Sequence, residues 1–124
     1  MNEQAELNIG IGTLDQEKIV LKPAKVKIVS VGIDETPKAK KIVFECKHPS
    51  RENTIMISSV AHIVERQVKV AGTWLNLDKE NKLQKGSALA VFLGKIGASS
   101  IKEAIGKEVE TEIGTNNYLC FKAY

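Results

Sequence analysis

Aromatic residues are scarce in this chain: three Phe, two Tyr and one Trp make up 5% of 124 residues. Any surface that works by stacking must therefore use Trp74, Tyr118 or Tyr124, or expose one of the phenylalanines. Cysteine is scarcer still, with only Cys46 and Cys120, too few for a scaffold held by several disulfides. Cys46-Lys47-His48 is a lone C-x-H with no second pair nearby, which gives no zinc signature. Two free buried thiols are the expectation in a reducing cell, and a bridge between neighbouring strands stays open as the alternative. No apolar run approaches the roughly 20 residues of a membrane span. Met1 to Glu6 lacks the basic and apolar regions of a signal peptide, so a cytoplasmic location is expected and no membrane partner. Repeats and low-complexity tracts are also missing.

Catalytic patterns are absent in the same way. Gly10-Ile11-Gly12 has neither a preceding strand nor the lysine-serine pair of a phosphate loop. Ser58-Ser59 lies on a strand and lacks the glycine-flanked turn of a serine nucleophile. His48 and His62 stand alone in or beside loops, without a paired acid or nucleophile, and read as surface residues. No two carboxylates can be placed in one apolar cleft. The chain reads as non-enzymatic, with no cofactor and no metal.

What remains is a soluble-type composition, 43% hydrophobic and 27% charged, in 13.6 kDa, enough chain for one self-sufficient core. The net charge of +3 is unevenly spread. Residues 1–17 carry four acids and no base, and read as a flexible acidic arm ahead of a single domain over 18–124. Residues 18–51 carry +6 and residues 52–124 carry +1. A basic first hairpin suggests a polyanion partner. The competing reading is that lysines on strands keep a sheet soluble and blunt its edges.

Periodicity predicts strands over 25–33, 40–47, 54–60 and 68–77, with 61–67 ambiguous between strand and wide turn. Within the first, Val26 and Ile28 share one phase while Val29, Val31 and Ile33 share the other, which signals a bulge or strong coiling. Asp34 to Pro37 and Asp78 to Asn81 carry turn chemistry. Ser87 caps a helix whose apolar residues Leu89, Phe92, Leu93 and Ile96 fall at helical spacing, and Gly97 ends it. Ser99 or Ser100 starts a shorter helix closing at Gly106. Lys107 to Ile113 and Tyr118 to Tyr124 alternate as the last two strands.

The fold expected from this order is mainly β: a small oligonucleotide/oligosaccharide-binding (OB)-like barrel of five to six strands, with a helix, or two short helices, inserted before the last two strands. One strand too many precedes the helix. Either 54–60 and 68–77 are halves of one interrupted element, or the extra strand is a decorating ribbon. A different small barrel or sandwich with one covering helix is the alternative. The run Ser87-Ala88-Leu89-Ala90, then Phe92-Leu93-Gly94-Lys95-Ile96-Gly97, then Ile101-Lys102-Glu103-Ala104-Ile105-Gly106-Lys107-Glu108-Val109, resembles the end of small OB-like proteins of phages and mobile elements. That resemblance covers about a third of the chain and specifies packing. It implies an OB-like fold, a setting among replication and recombination genes, and a single-strand-binding role; it carries over no functional residue.

Phase sorts the aromatics. Phe44 lies with Ile42 and Cys46, Trp74 with Val68 and Val70, and Phe92 with the helix's apolar face, so all three are expected in the core. Tyr118 and Tyr124 flank Lys122 on the mixed phase of the last strand, as a stacking stripe or as amphipathic edge residues. The leading expectation is a protein that binds single-stranded nucleic acid. Lys25, Lys27, Lys40, Lys41, Lys47, Arg51 and Lys122 would neutralise phosphates, and Tyr118, Tyr124 or Trp74 would stack bases. In this scheme one continuous cationic wall faces solvent, and the acidic arm competes for it. The second expectation is a protein-interaction or structural module of a virus or mobile element, engaging a protein partner or a copy of itself. A small-ligand or enzyme role is the third.

Overall fold

A computed structural model of the chain describes residues 21–114 and 118–124. The acidic arm over 1–17 lies outside the described residues. The strands are β1 (Val26–Glu35), β2 (Lys40–Lys47), β3 (Ile55–Ile57), β4 (Ser59–Val64), β5 (Gln67–Gly72), β6 (Glu108–Val109), β7 (Thr111–Ile113) and β8 (Leu119–Ala123), with helix α1 (Ala88–Lys95) between β5 and β6. They form two four-stranded sheets, in the orders β3-β2-β1-β6 and β5-β4-β8-β7.

Two single residues join the sheets. Ser58 separates β3 from β4, and Glu110 separates β6 from β7. The strands expected over 54–60 and 107–113 are thus each broken once, because a strongly coiled wall needs its strands to change sheet. Pairing then traces a closed circuit: β1 to β2, β2 to β3, through Ser58 into β4, β4 to β8, β8 to β7, and through Glu110 into β6 and back to β1. All of these pairs are antiparallel except β4 with β8, which is parallel. β5 stands outside the circuit, zipped to β4 by a two-residue turn in which Glu65 and Arg66 take φ of 51° and 67°. The ambiguous stretch 61–67 is therefore strand plus hairpin turn. Beyond Gly72, where a bend was expected, the chain leaves β4 and runs along the start of β2, with Leu75 N–H donating to Lys40 O at 2.8 Å.

The two phases of β1 are reconciled by a bulge. Register jumps between Ile28↔Cys46 and Ser30↔Glu45, leaving Val29 unpaired. Val26 and Ile28 before the jump, and Val31 opposite Phe44 after it, all point to one side. On that side sit all three phenylalanines. Phe92 of α1 stacks on Phe121 of β8 at 4.4 Å, and Phe44 of β2 meets both edge-on at 5.4 and 5.3 Å. The helix thereby plugs the space between the sheets. Ser87 caps it by accepting from Ala90 N–H at 3.2 Å, and Gly97 at φ 75° ends it.

Four expectations fail. The second short helix is only a 3-10 turn, Lys102–Ala104. Ser100 Oγ accepts from Glu103 N–H at 3.3 Å and Glu103 reaches back to Ser99, but the cap position is Ile101, which has no side-chain cap, and too few residues precede Gly106 to propagate an α-helix. His48 is fully buried rather than on the surface: its Nδ1 accepts from Ser50 N–H at 3.0 Å, so Nε2–H donates to Lys22 O at 2.9 Å. His62 is also buried, on the inner face of β4 beside Val60. Trp74 does share a face with Val68 and Val70, as phase required, but that face is the outer one and Trp74 is 37% exposed. Cys46 and Cys120 are both free and buried.

Candidate nucleic-acid interface

The outer face of the β5-β4-β8-β7 sheet gathers the scarce aromatics. The hairpin turn sets Ile63 opposite Val68, Ala61 opposite Val70 and Ser59 opposite Gly72. The parallel pairing sets Ala61 beside Lys122. Inner residues of these strands, Ala71, Val60 and Phe121, join the core. Alternation therefore sends Val68, Val70 and Trp74, Ser59, Ala61 and Ile63, and Tyr118, Lys122 and Tyr124 to the same outer face. Val68 and Ile63 are 47% and 49% exposed, Tyr124 is 41% exposed and Tyr118 is 74% exposed. β5 and β8 flank β4, so the Trp74 indole, over Gly72 opposite Ser59, and Tyr124, one residue past the Ala123↔His62 pair, lie about 10 Å apart across the sheet and about 13 Å apart along it.

Two of the three rings, Trp74 and Tyr124, have a lysine beside them. The indole of Trp74 lies over Gly72, where a Cβ would stand 2.7 Å from Nε1; only glycine leaves that room. Lys41, bridged to Trp74 across the strands, holds Nζ 5.2 Å from the indole centroid. Lys122 Nζ lies 5.0 Å from the Tyr124 ring centroid. Hydrogen bonding to Glu112, with burial adding to it, holds the Tyr124 phenol above its ordinary pKa. Cys120 shares this outer phase but is covered, and burial, with the Glu112 charge adding to it, pushes its thiol up to about 11.

The cationic residues do not form one wall. Lys25 and Lys122 line a cleft of about 430 Å³ together with Lys95 and Lys107. Glu108 and Glu110 offset two of those four charges, Glu110 at 3.8 Å from Lys25. Lys27 and Lys47 stand opposite each other on β1 and β2. Lys40 pairs with Glu35 at 3.7 Å at the far end of the same hairpin. Arg51 is exposed in the loop after β2, its N–H donating to His48 O. A twisted hairpin eight to ten residues long separates its two ends, which is why charges adjacent in sequence part company here. Lys122 is the residue that touches both the cleft and the aromatic face.

Sequence reasoning missed Lys95, Lys107, Val68 and Ile63. Lys95 sits in the last helical turn and Lys107 follows the glycine at φ 92°, so both signals read as helix-end chemistry. Among the described residues no group of three or more His, Cys, Asp or Glu side chains could hold a metal ion. No helix there is long and apolar enough to cross a membrane. Comparison with protein-family models, with curated proteins and with solved structures finds no match to this chain.

Proposed function

We propose that this chain is a non-enzymatic OB-like protein that binds single-stranded nucleic acid on the outer face of the β5-β4-β8-β7 sheet. The OB reading is supported by the circuit. Counting β3 with β4 and β6 with β7 as single bent strands gives five strands, a helix before the last two, and one parallel closure, as in a five-stranded Greek-key barrel. β5 is then the decorating ribbon. The binding reading rests on one observation: Trp74, Tyr118 and Tyr124 share a sheet face on which Lys41 and Lys122 lie against two of the rings. Bases would stack on Trp74, Tyr124 and Tyr118, and the backbone would run from Lys41 toward Lys122 and the cleft of Lys25, Lys95 and Lys107. Lys27, Lys47 and Arg51 would serve a longer strand. The replication or recombination machinery of a virus or mobile element is the setting that the C-terminal resemblance implies.

Titrating Trp74 fluorescence with a short oligothymidylate at low and high salt tests this reading. Quenching should saturate, and the affinity should fall with salt at about −0.7 in log-log slope per phosphate neutralised. Tyr124→Ala should weaken binding by about 1–3 kcal/mol, roughly 5- to 150-fold. Absence of quenching at low salt would refute it and leave the exposed Val68 and Ile63 as part of a protein-docking surface.

A further inference from the structure

We propose that two copies of this chain join edge to edge through β5, with a two-fold axis through Val70. The backbone supplies the first argument. An antiparallel ladder alternates residues that exchange both hydrogen bonds with residues that exchange none. The two-residue turn makes Val64 and Gln67 a bonded pair, and Thr73 N–H donates to Ser58 O at 3.0 Å. Hence Gln67, Lys69 and Ala71 bond toward β4, and the N–H and C=O groups of Val68, Val70 and Gly72 point outward. β5 is the edge strand of its sheet, so among the described residues those outward groups have no partner strand.

The side chains supply the second argument. Edge strands are ordinarily guarded by charge, proline or a bulge. Gln67 to Gly72 has one charge, Lys69, and neither of the others. An antiparallel copy centred on Val70 sets Val70 against itself and Val68 against Gly72 of the second copy. The half-exposed Val68 then lies against Gly72 and the indole that already fills the space over it, an apolar contact. Lys69 falls opposite Ala71 of the second copy, so no like charges face each other directly. A second copy therefore fits this edge in hydrogen-bond phase, and sets apolar side chains against apolar ones without opposing like charges. The two-fold axis stands perpendicular to the sheet, so both aromatic faces lie on one side of a continuous eight-stranded sheet.

Light scattering across a concentration series, with amide hydrogen exchange at the two ends of that series, tests the proposal on the full chain. The mass should climb from 13.6 kDa toward twice that value, and the Val68, Val70 and Gly72 amides should become protected only in the concentrated sample. Val70→Pro removes an N–H that the single chain does not use, so the fold should persist while self-association weakens about tenfold or more. Val70→Lys, which sets two lysines face to face, should act likewise and serves if the proline variant does not fold. A monomer at every concentration overturns the proposal. So does protection of these amides independent of concentration, which would mean that other residues of the same chain occupy the edge. Self-association unchanged by both substitutions overturns it as well.

Discussion

Glu65 and Arg66 are the least comfortable residues of the described chain. Both take left-handed backbone angles, at φ 51° and 67°, in a turn whose shape suits Asn-Gly. A side chain in that region costs about 1 kcal/mol relative to glycine. The turn also sets the register that brings Val68, Val70 and Trp74 to the outer face. Arg66→Gly should therefore raise stability by about 1 kcal/mol, seen as a melting temperature a few degrees higher, with oligonucleotide affinity unchanged. A lower melting temperature would mean that the Arg66 side chain contributes more than its backbone costs. Nothing in the local sequence announced a tight turn here, because Glu-Arg is not turn chemistry. The pairing of β4 with β5, with Val64 against Gln67, imposes it, and that is why 61–67 could not be assigned from pattern alone.

Among the elements, β2 is paired on both edges, and Glu45 ties it to each side. Its carboxylate accepts from Ser30 Oγ at 2.6 Å on β1 and from Thr54 Oγ1 at 2.5 Å just before β3. The Ser30 and then the Thr54 hydroxyl hold its pKa below the ordinary carboxylate range. A carboxyl whose folded pKa is lowered stabilises the fold above its unfolded value, and that contribution is lost as pH falls through the folded value. Glu45→Gln should thus flatten the acid limb of the stability curve between pH 5 and the folded value, measured by denaturant melts; an unchanged limb would assign the acid sensitivity to other carboxylates. The sequence showed Glu45 only as an outward-facing strand residue. Its partners lie 15 and 9 residues away, across two turns, where pattern reading does not reach. Helix α1 was legible for the opposite reason. Its cap, its apolar face and its terminating glycine are all local, and each sits where the sequence puts it.

For the whole molecule, phase along a strand was readable but the side of the wall was not. Val68, Val70 and Trp74 were grouped correctly and assigned inward, because apolar residues ordinarily point to the core. Which face is inner depends on where α1 and the other sheet pack, and that is a property of the complete circuit. The same circuit buries both thiols. Cys46 is pushed up to about 12, by burial first and then by the Glu45 charge, and Cys120 is pushed up to about 11. Neither should react with a thiol reagent at pH 8 while the domain is folded, and both should react once it unfolds. Labelling of one thiol well before the other would reveal a local opening of its strand.

The parallel pair carries a further implication. Val60 of β4 meets Phe121 of β8, and no short connection can bring such strands together. Folding must wait for a long loop to close before β4 gains its second neighbour, and slow closure of this kind is ordinary for non-local β pairing. During that delay Val60 and Ala61, later sealed from water, line an open strand edge ready to take a wrong partner. Temperature and concentration during renaturation should then govern recovery of native material more than equilibrium stability does.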